Sequence, residues 1–150
     1  MQLTLFTDYS LRVLLYLAAH RERLVPVSQI STAYGISQNH LVKVVQRLLE
    51  QQLVQSVRGR SGGLKLAREP HDINLAEVVR ATEPHSNLVE CFELRTNTCP
   101  IEAACGLKRA LSRAQQAFFA ELERHTLADF AARAPALLQL WNRKPQQVSA

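Results

Sequence analysis

Three cysteines, Cys91, Cys99 and Cys105, fall within fifteen residues, with seven and five residues between them. A free cysteine usually packs as a small hydrophobe. Three of them in a segment that also holds Pro84, Asn87, Asn97 and Pro100 do not fit that pattern. Their odd number excludes a disulfide scaffold. Zinc prefers a close C-x-x-C knuckle and a fourth ligand; no knuckle is present, although His85 could complete a set. A redox thiol pair would leave one cysteine over. An iron–sulfur cluster is held by thiolates at varied spacings. Spacing alone does not choose among the three.

A second group of residues carries different chemistry. Ser37, Gln38, Asn39 and His40 form one short polar run, and Lys43 and Arg47 continue it at helical spacing. All can hydrogen-bond base edges or phosphates. Ser28 lies one short helix earlier. Arg58, Arg60, Ser61 and Gly62 sit on a Gly-rich turn, a backbone that can approach a phosphate or enter a narrow minor groove. The plain alternative is a solvated helix face.

Charge separates the two groups. The chain carries 18 Lys or Arg against 13 Asp or Glu, with a pI near 9.5, which favours an anionic partner. Ten basic against six acidic side chains lie between Met1 and Arg80, and eight against seven beyond it. The basic excess thus belongs to the segment with the polar helix and turn, and the cysteines follow it.

The elements that would position these residues follow from periodicity. Thr7 can cap a helix running to about Ala19, with Leu11, Leu14, Leu15 and Ala18 on one face. Val27 to Tyr34 reads as a short helix with Ser28 at its cap, stopped by Gly35. Ser37 caps the next helix, to about Gln51, with an apolar stripe of Leu41, Val44, Val45, Leu48 and Leu49. Leu53–Arg58 and Leu64–Leu66 flank the Gly-rich turn as a hairpin. Asn74 caps a helix through Thr82, and the cysteine segment should be mostly loop. Leu107 to about Arg133 lacks Gly and Pro and reads as one long helix, with Leu107, Leu111, Ala114, Phe118, Leu122 and His125 along one side. Pro135 interrupts, and Ala136–Trp141 forms a last short helix. Two helices across a Gly-containing turn, followed by a basic hairpin, make a winged helix-turn-helix.

The predicted fold is therefore mainly α with a small β-hairpin. Residues 1–82 form a winged helix-turn-helix DNA-binding domain, 83–106 a loop with the cysteine site, and 107–150 a dimerisation helix and tail. The helix from Leu107 has more apolar surface than a 150-residue chain can cover by itself, which predicts a two-fold homodimer on a palindromic double-stranded operator. The longest apolar run, Val13–Ala19, is too short to span a bilayer. No signal peptide is recognisable, so the expected location is the cytoplasm. No grouping of catalytic residues suggests an enzyme.

Several of these segments resemble a known family. Thr7-Asp8-Tyr9-Ser10-Leu11-Arg12-Val13-Leu14, Tyr34-Gly35-Ile36-Ser37, Leu41-Val42-Lys43-Val44-Val45 and Val57-Arg58-Gly59-Arg60-Ser61-Gly62-Gly63-Leu64 look like the Rrf-two superfamily of bacterial winged-helix regulators. Leu88-Val89-Glu90-Cys91-Phe92, with Cys99 and Cys105, is similar to its nitric-oxide-sensing branch. The resemblance covers about residues 1–130. It implies a homodimeric transcriptional repressor with one iron–sulfur cluster per subunit, 4Fe-4S rather than 2Fe-2S, on Cys91, Cys99 and Cys105, which makes 83–106 a cysteine cluster-binding loop. It further implies that nitric oxide damages the cluster and releases the operator.

In some members of that branch an aspartate near the N-terminus of the other subunit is the fourth ligand, and Asp8 matches its position. The cluster-biogenesis branch uses a histidine shortly after the third cysteine. Here Gly106, Leu107 and Lys108 stand there, which argues against that branch. The seven-residue gap between the first two cysteines is longer than is common. Taken alone, Asp8 needs no metal, because an acid in a first helical turn is stabilised by the helix dipole.

Overall fold

The structure is a computed structural model that describes residues 2–59, 61–84, 87–93 and 95–142. Helix α1 (Leu5–Ala19) begins one turn earlier than expected, because Thr4 rather than Thr7 is its cap. The Thr4 hydroxyl accepts from the Thr7 N–H at 3.2 Å, and Thr7 is itself buried. Both residues carry the capping hydroxyl. Glu83, far along the chain, decides between them by accepting a hydrogen bond from the Thr4 N–H. The centre of α1 is sunk in the core through Val13, Leu14, Tyr16, Leu17 and Ala18, with Leu11 and Leu15 at its margin.

Helix α2 (Val27–Tyr34) is preceded by Pro26, not capped by Ser28, and ends at Gly35. Gly35 adopts φ 65°, a left-handed conformation that costs glycine nothing and other residues about 1 kcal/mol. Its N–H closes on the Ser31 carbonyl. Helix α3 (Gln38–Glu50) is capped by Ser37, whose hydroxyl accepts from the His40 N–H. Leu41, Val44, Val45 and Leu48 bury its apolar stripe.

Strands β1 (Val54–Val57) and β2 (Gly63–Leu66) pair antiparallel, with Val54 opposite Leu66 and Val57 opposite Gly63. A two-way bridge between Val25 and Leu64 ties this hairpin to the segment before α2. The wing is therefore braced against the helix-turn-helix.

Asn74 caps α4 (Leu75–Thr82) through its side-chain oxygen. The cysteine segment is largely loop, with single 3-10 turns at Glu90–Phe92 and Glu102–Ala104. The long helix is shorter than expected. Helix α5 spans Gly106–Glu123, and after a break at 124–126 the short α6 (Leu127–Ala131) begins at a Thr126/Asp129 capping box. Tertiary bonds cause the break. The Asn74 amide donates to the Glu123 and His125 carbonyls, the Leu75 N–H donates to His125, and the Leu127 N–H donates to Ile73. Pro135 opens α7 (Ala134–Trp141) at a position where its missing N–H costs nothing.

Helices α6 and α7 return to pack on α1. Leu127 enters the core, and the Trp141 ring lies 4.7 Å from Tyr16 and 5.6 Å from Tyr34, centroid to centroid. No helix among the described residues is long and apolar enough to cross a membrane.

Candidate nucleic-acid interface and cysteine segment

The capping hydroxyl of Ser37 fixes where α3 begins, and the buried stripe fixes which way it faces. Gln38, Asn39, His40 and Lys43 consequently stand exposed on the side away from the core, with Ser37 beside them. Among the described residues nothing hydrogen-bonds the side chains of Gln38, Asn39 or Lys43. They form a surface of donors and acceptors on the first two turns of a helix, the part that reaches base edges in a major groove. Val42, 55% exposed, interrupts this polar face with a branched apolar group of the kind that contacts a thymine methyl. Sequence reasoning did not single it out; its signal was an apolar residue off the Leu41–Leu48 stripe.

Ser28 is exposed on α2, and Arg58 and Ser61 are exposed at the wing tip. Gly62 is half-buried. Its N–H closes the turn on the Gly59 carbonyl at 3.0 Å, and a Cβ there would sit 2.3 Å from the Val57 carbonyl oxygen. Gly62 shapes the tip rather than presenting a side chain. Arg60 lies outside the described residues.

Arg47 departs from the expected polar face. Its Nε donates to the Ala81 carbonyl at the end of α4 (2.9 Å), and its Nη1 lies 3.4 Å from the Glu50 carboxylate.

Cys91, Cys99 and Cys105 are free thiols, each half-buried. Cys105 precedes α5 as its N-cap residue. Hydrogen bonds that sequence reasoning missed organise the loop. The Glu90 carboxylate accepts from both the N–H and the hydroxyl of Thr98, each at 2.6 Å, which holds it below the ordinary glutamate range. The Asn97 side chain accepts from the Cys99 N–H at 3.1 Å and donates to Glu102, and Glu102 in turn pairs with Lys108. That contact raises the Lys108 ammonium above the usual lysine range, and the nearby Cys91 and Cys105 sulfurs add to the effect. Asn97 and Thr98 just before Cys99, residue types common in Asx and ST turns, were the available signal.

In donor type and placement these thiols fit a thiolate-held group: three on one segment, none in the core and none in a disulfide. Among the described residues no three His, Cys, Asp or Glu side chains are gathered as a metal site. Asp8, on α1, is not with the cysteines. Its two oxygens meet Arg12 in a bidentate pair, Nε at 3.0 Å and Nη2 at 2.8 Å, and its side chain is 38% exposed. The Arg12 guanidinium also lies over the rings of Tyr9 and Tyr34. His85, the alternative ligand, lies outside the described residues.

The sequence profile of the Rrf2 family, described as an iron-dependent transcriptional regulator, matches residues 3–133. The chain belongs to the Rrf2 family. It is 46% identical over 145 residues to the HTH-type transcriptional regulator NsrR of Bacillus subtilis, covering 96% of this chain and 99% of that protein. It is 45% identical over 146 residues to NsrR of Halalkalibacterium halodurans, covering 97% and 100%. Among solved structures, CymR, the global cysteine regulator of B. subtilis, superimposes with a TM-score of 0.73 at 25% identity, covering 88% of this chain and 97% of that one. IscR of T. potens superimposes with a TM-score of 0.70 at 25% identity, covering 100% and 94%. The Rrf2 chain described here is thus a transcriptional regulator with the winged-helix fold of these proteins, and its relatives are regulators rather than enzymes.

Proposed function

We propose that this Rrf2 protein is a DNA-binding repressor. In this reading an iron–sulfur cluster, 4Fe-4S rather than 2Fe-2S and one per subunit, is held by Cys91, Cys99 and Cys105. Nitric oxide is the signal, and release of a palindromic operator is the response. The observation that carries this reading is the pairing, in one chain, of a solvated polar α3 with three free thiols confined to one loop beside the α5 N-terminus. Similarity to NsrR over nearly the whole chain supports it.

Each group of residues has its task. Gln38, Asn39 and His40 read base edges, with Ser37 fixing their helix and Ser28 meeting the backbone. Lys43, Arg58 and Arg60 neutralise phosphates, and Ser61 and Gly62 shape the wing tip that follows the backbone. The three thiolates hold the cluster, and gathering them folds the loop around it. When bound, such a cluster supplies iron that nitric oxide ligates strongly. Asp8 of the other subunit is the proposed fourth ligand, and to serve it must exchange its Arg12 partner. A carboxylate is harder than a thiolate and matches cluster iron poorly. Helix α5 buries no residue along its length and leaves Leu107 64% exposed. It is the proposed dimer contact, which would set two α3 helices against two half-sites.

The visible absorption spectrum of protein purified without air tests the cluster. Broad charge-transfer bands are expected, and they should be lost in Cys99→Ser. A second reading, in which the cysteines hold zinc or act as a thiol switch, has one observation on the side of the switch: the three sulfurs are free and partly exposed. A colourless protein with stoichiometric zinc, or one whose thiol count falls reversibly on oxidation, would establish that reading instead.

A further inference from the structure

The end of α4 is a joint between three parts of the molecule. On one side, Arg47 of α3 donates its Nε to the Ala81 carbonyl at 2.9 Å. On the other, the Glu83 carboxylate accepts from the N–H of Thr4 at 2.8 Å and from its hydroxyl at 3.1 Å. Thr4 is the cap of α1, the helix that carries Asp8. Glu83 is itself fixed, because its N–H closes on the Val79 carbonyl at 2.9 Å. Thr82 beside it is buried, with its hydroxyl bound to the Val78 carbonyl. A cleft lined by Thr4, Phe6, Arg47, Ala81, Thr82 and Pro84 lies over the joint. The cysteine segment leaves the fold at this point.

An arginine on the solvent side of a helix that meets DNA would ordinarily be assigned to a phosphate. Here its guanidinium is aimed at a main-chain carbonyl, where a cation also complements the negative end of the α4 dipole. We propose that Arg47 and Glu83 are positioning residues. Together they clasp the recognition helix and the α1 cap to the last turn of α4, so that the setting of α3 follows that of the segment leading to the cysteines. The link onward to the cysteines rests on the function proposed above; the clasp itself does not.

Operator affinity of the full-length protein, measured at several salt concentrations, separates a positioning residue from a phosphate contact. Losing one phosphate contact lowers the log–log salt slope by about 0.9. Arg47→Ala should weaken binding about tenfold with the slope unchanged, and Arg47→Lys, which keeps a donor, should recover part of the loss. Glu83→Ala, which removes no cation, should weaken binding similarly, and Glu83→Gln, which keeps the acceptor oxygen, should restore it. The double variant Arg47→Ala/Glu83→Ala should lose less than the product of the single losses, as partners in one joint do. Amide exchange at Val44–Gln46 should quicken in Glu83→Ala, although among the described residues no hydrogen bond or ion pair joins Glu83 to α3.

A slope reduced by about one in Arg47→Ala would make Arg47 a phosphate contact and overturn the proposal. So would a silent Glu83→Ala, or losses that multiply independently. Repeating the variants in a Cys99→Ser background tests the onward link: there they should change affinity less than in the intact protein. An unchanged effect would break the link to the cysteines. A Cys99→Ser protein that binds as tightly as wild type would instead fail the switch reading, while the clasp is still judged by the slopes and the double variant.

Discussion

Two exposed side chains on α3, four residues apart, differ in their bonding. Lys43 stands exposed, whereas Arg47 is bound to Ala81. Arg58→Ala at the wing should therefore flatten the salt dependence of operator binding by roughly 0.9 log–log units for one lost phosphate contact. Gln38→Ala should instead change the ranking of operator variants, by about 1–3 kcal/mol at the base pair it reads. Operator titrations at several salt concentrations measure the first, and competition binding against single-base operator variants at fixed salt measures the second. Tyr34 makes a prediction at alkaline pH. Burial raises its phenol well above the ordinary value of 10.0, while Arg12 pulls the other way. The unfolded chain releases this proton near pH 10 and the folded chain keeps it. The unfolded state then binds fewer protons, so stability falls as pH rises. The tyrosine contribution is complete below pH 10 and lost above it. Thermal midpoints from pH 8 to 11 should decline beyond pH 10, and less steeply in Tyr34→Phe.

At the scale of elements, local signals were legible and distant ones were not. Gly35, Ser37 and Asn74 act within a turn of themselves, and each stops or caps the helix that its residue type predicts. The α3 stripe was also legible, because a 3.6-residue period needs no partner to be recognised. Leu48 is fully buried on it, and Leu48→Ala should destabilise the fold by about 2–5 kcal/mol in urea unfolding. The start of α1 was not legible, because Thr4 and Thr7 are equal candidates until Glu83 selects one. The end of α5 was hidden for a similar reason. No Gly or Pro marks 124–126, and the carbonyls there are taken by Asn74 and Leu75, some fifty residues earlier. Arg47 read as part of a polar face because its type shows its charge but not its aim. Of the candidate site, the exposure of Gln38, Asn39, His40 and Lys43 was legible. The loop network of Glu90, Asn97, Glu102 and Lys108 was not, since it depends on how the cysteine segment doubles back.

The whole molecule is one regulator whose C-terminal helices fold back on the winged helix, which leaves α5 the outlying element. Its Leu107, Leu111, Phe118 and Leu122 run along one side, and none is buried. Light scattering should give twice 16.9 kDa for the wild type and a lower mass for Phe118→Glu; a wild-type mass of one chain would contradict the dimer. The central claim is that the cysteine segment controls operator binding. The most direct measurement is an anaerobic operator titration before and after nitric oxide, with visible absorbance recorded in parallel. The absorbance should bleach and operator affinity fall together, by tenfold or more, which is about 1.4 kcal/mol. Cys99→Ser should start in the weak state. An Asp8→Ala protein that behaves as wild type would remove only the fourth ligand from the account. Bleaching with operator affinity unchanged would contradict it.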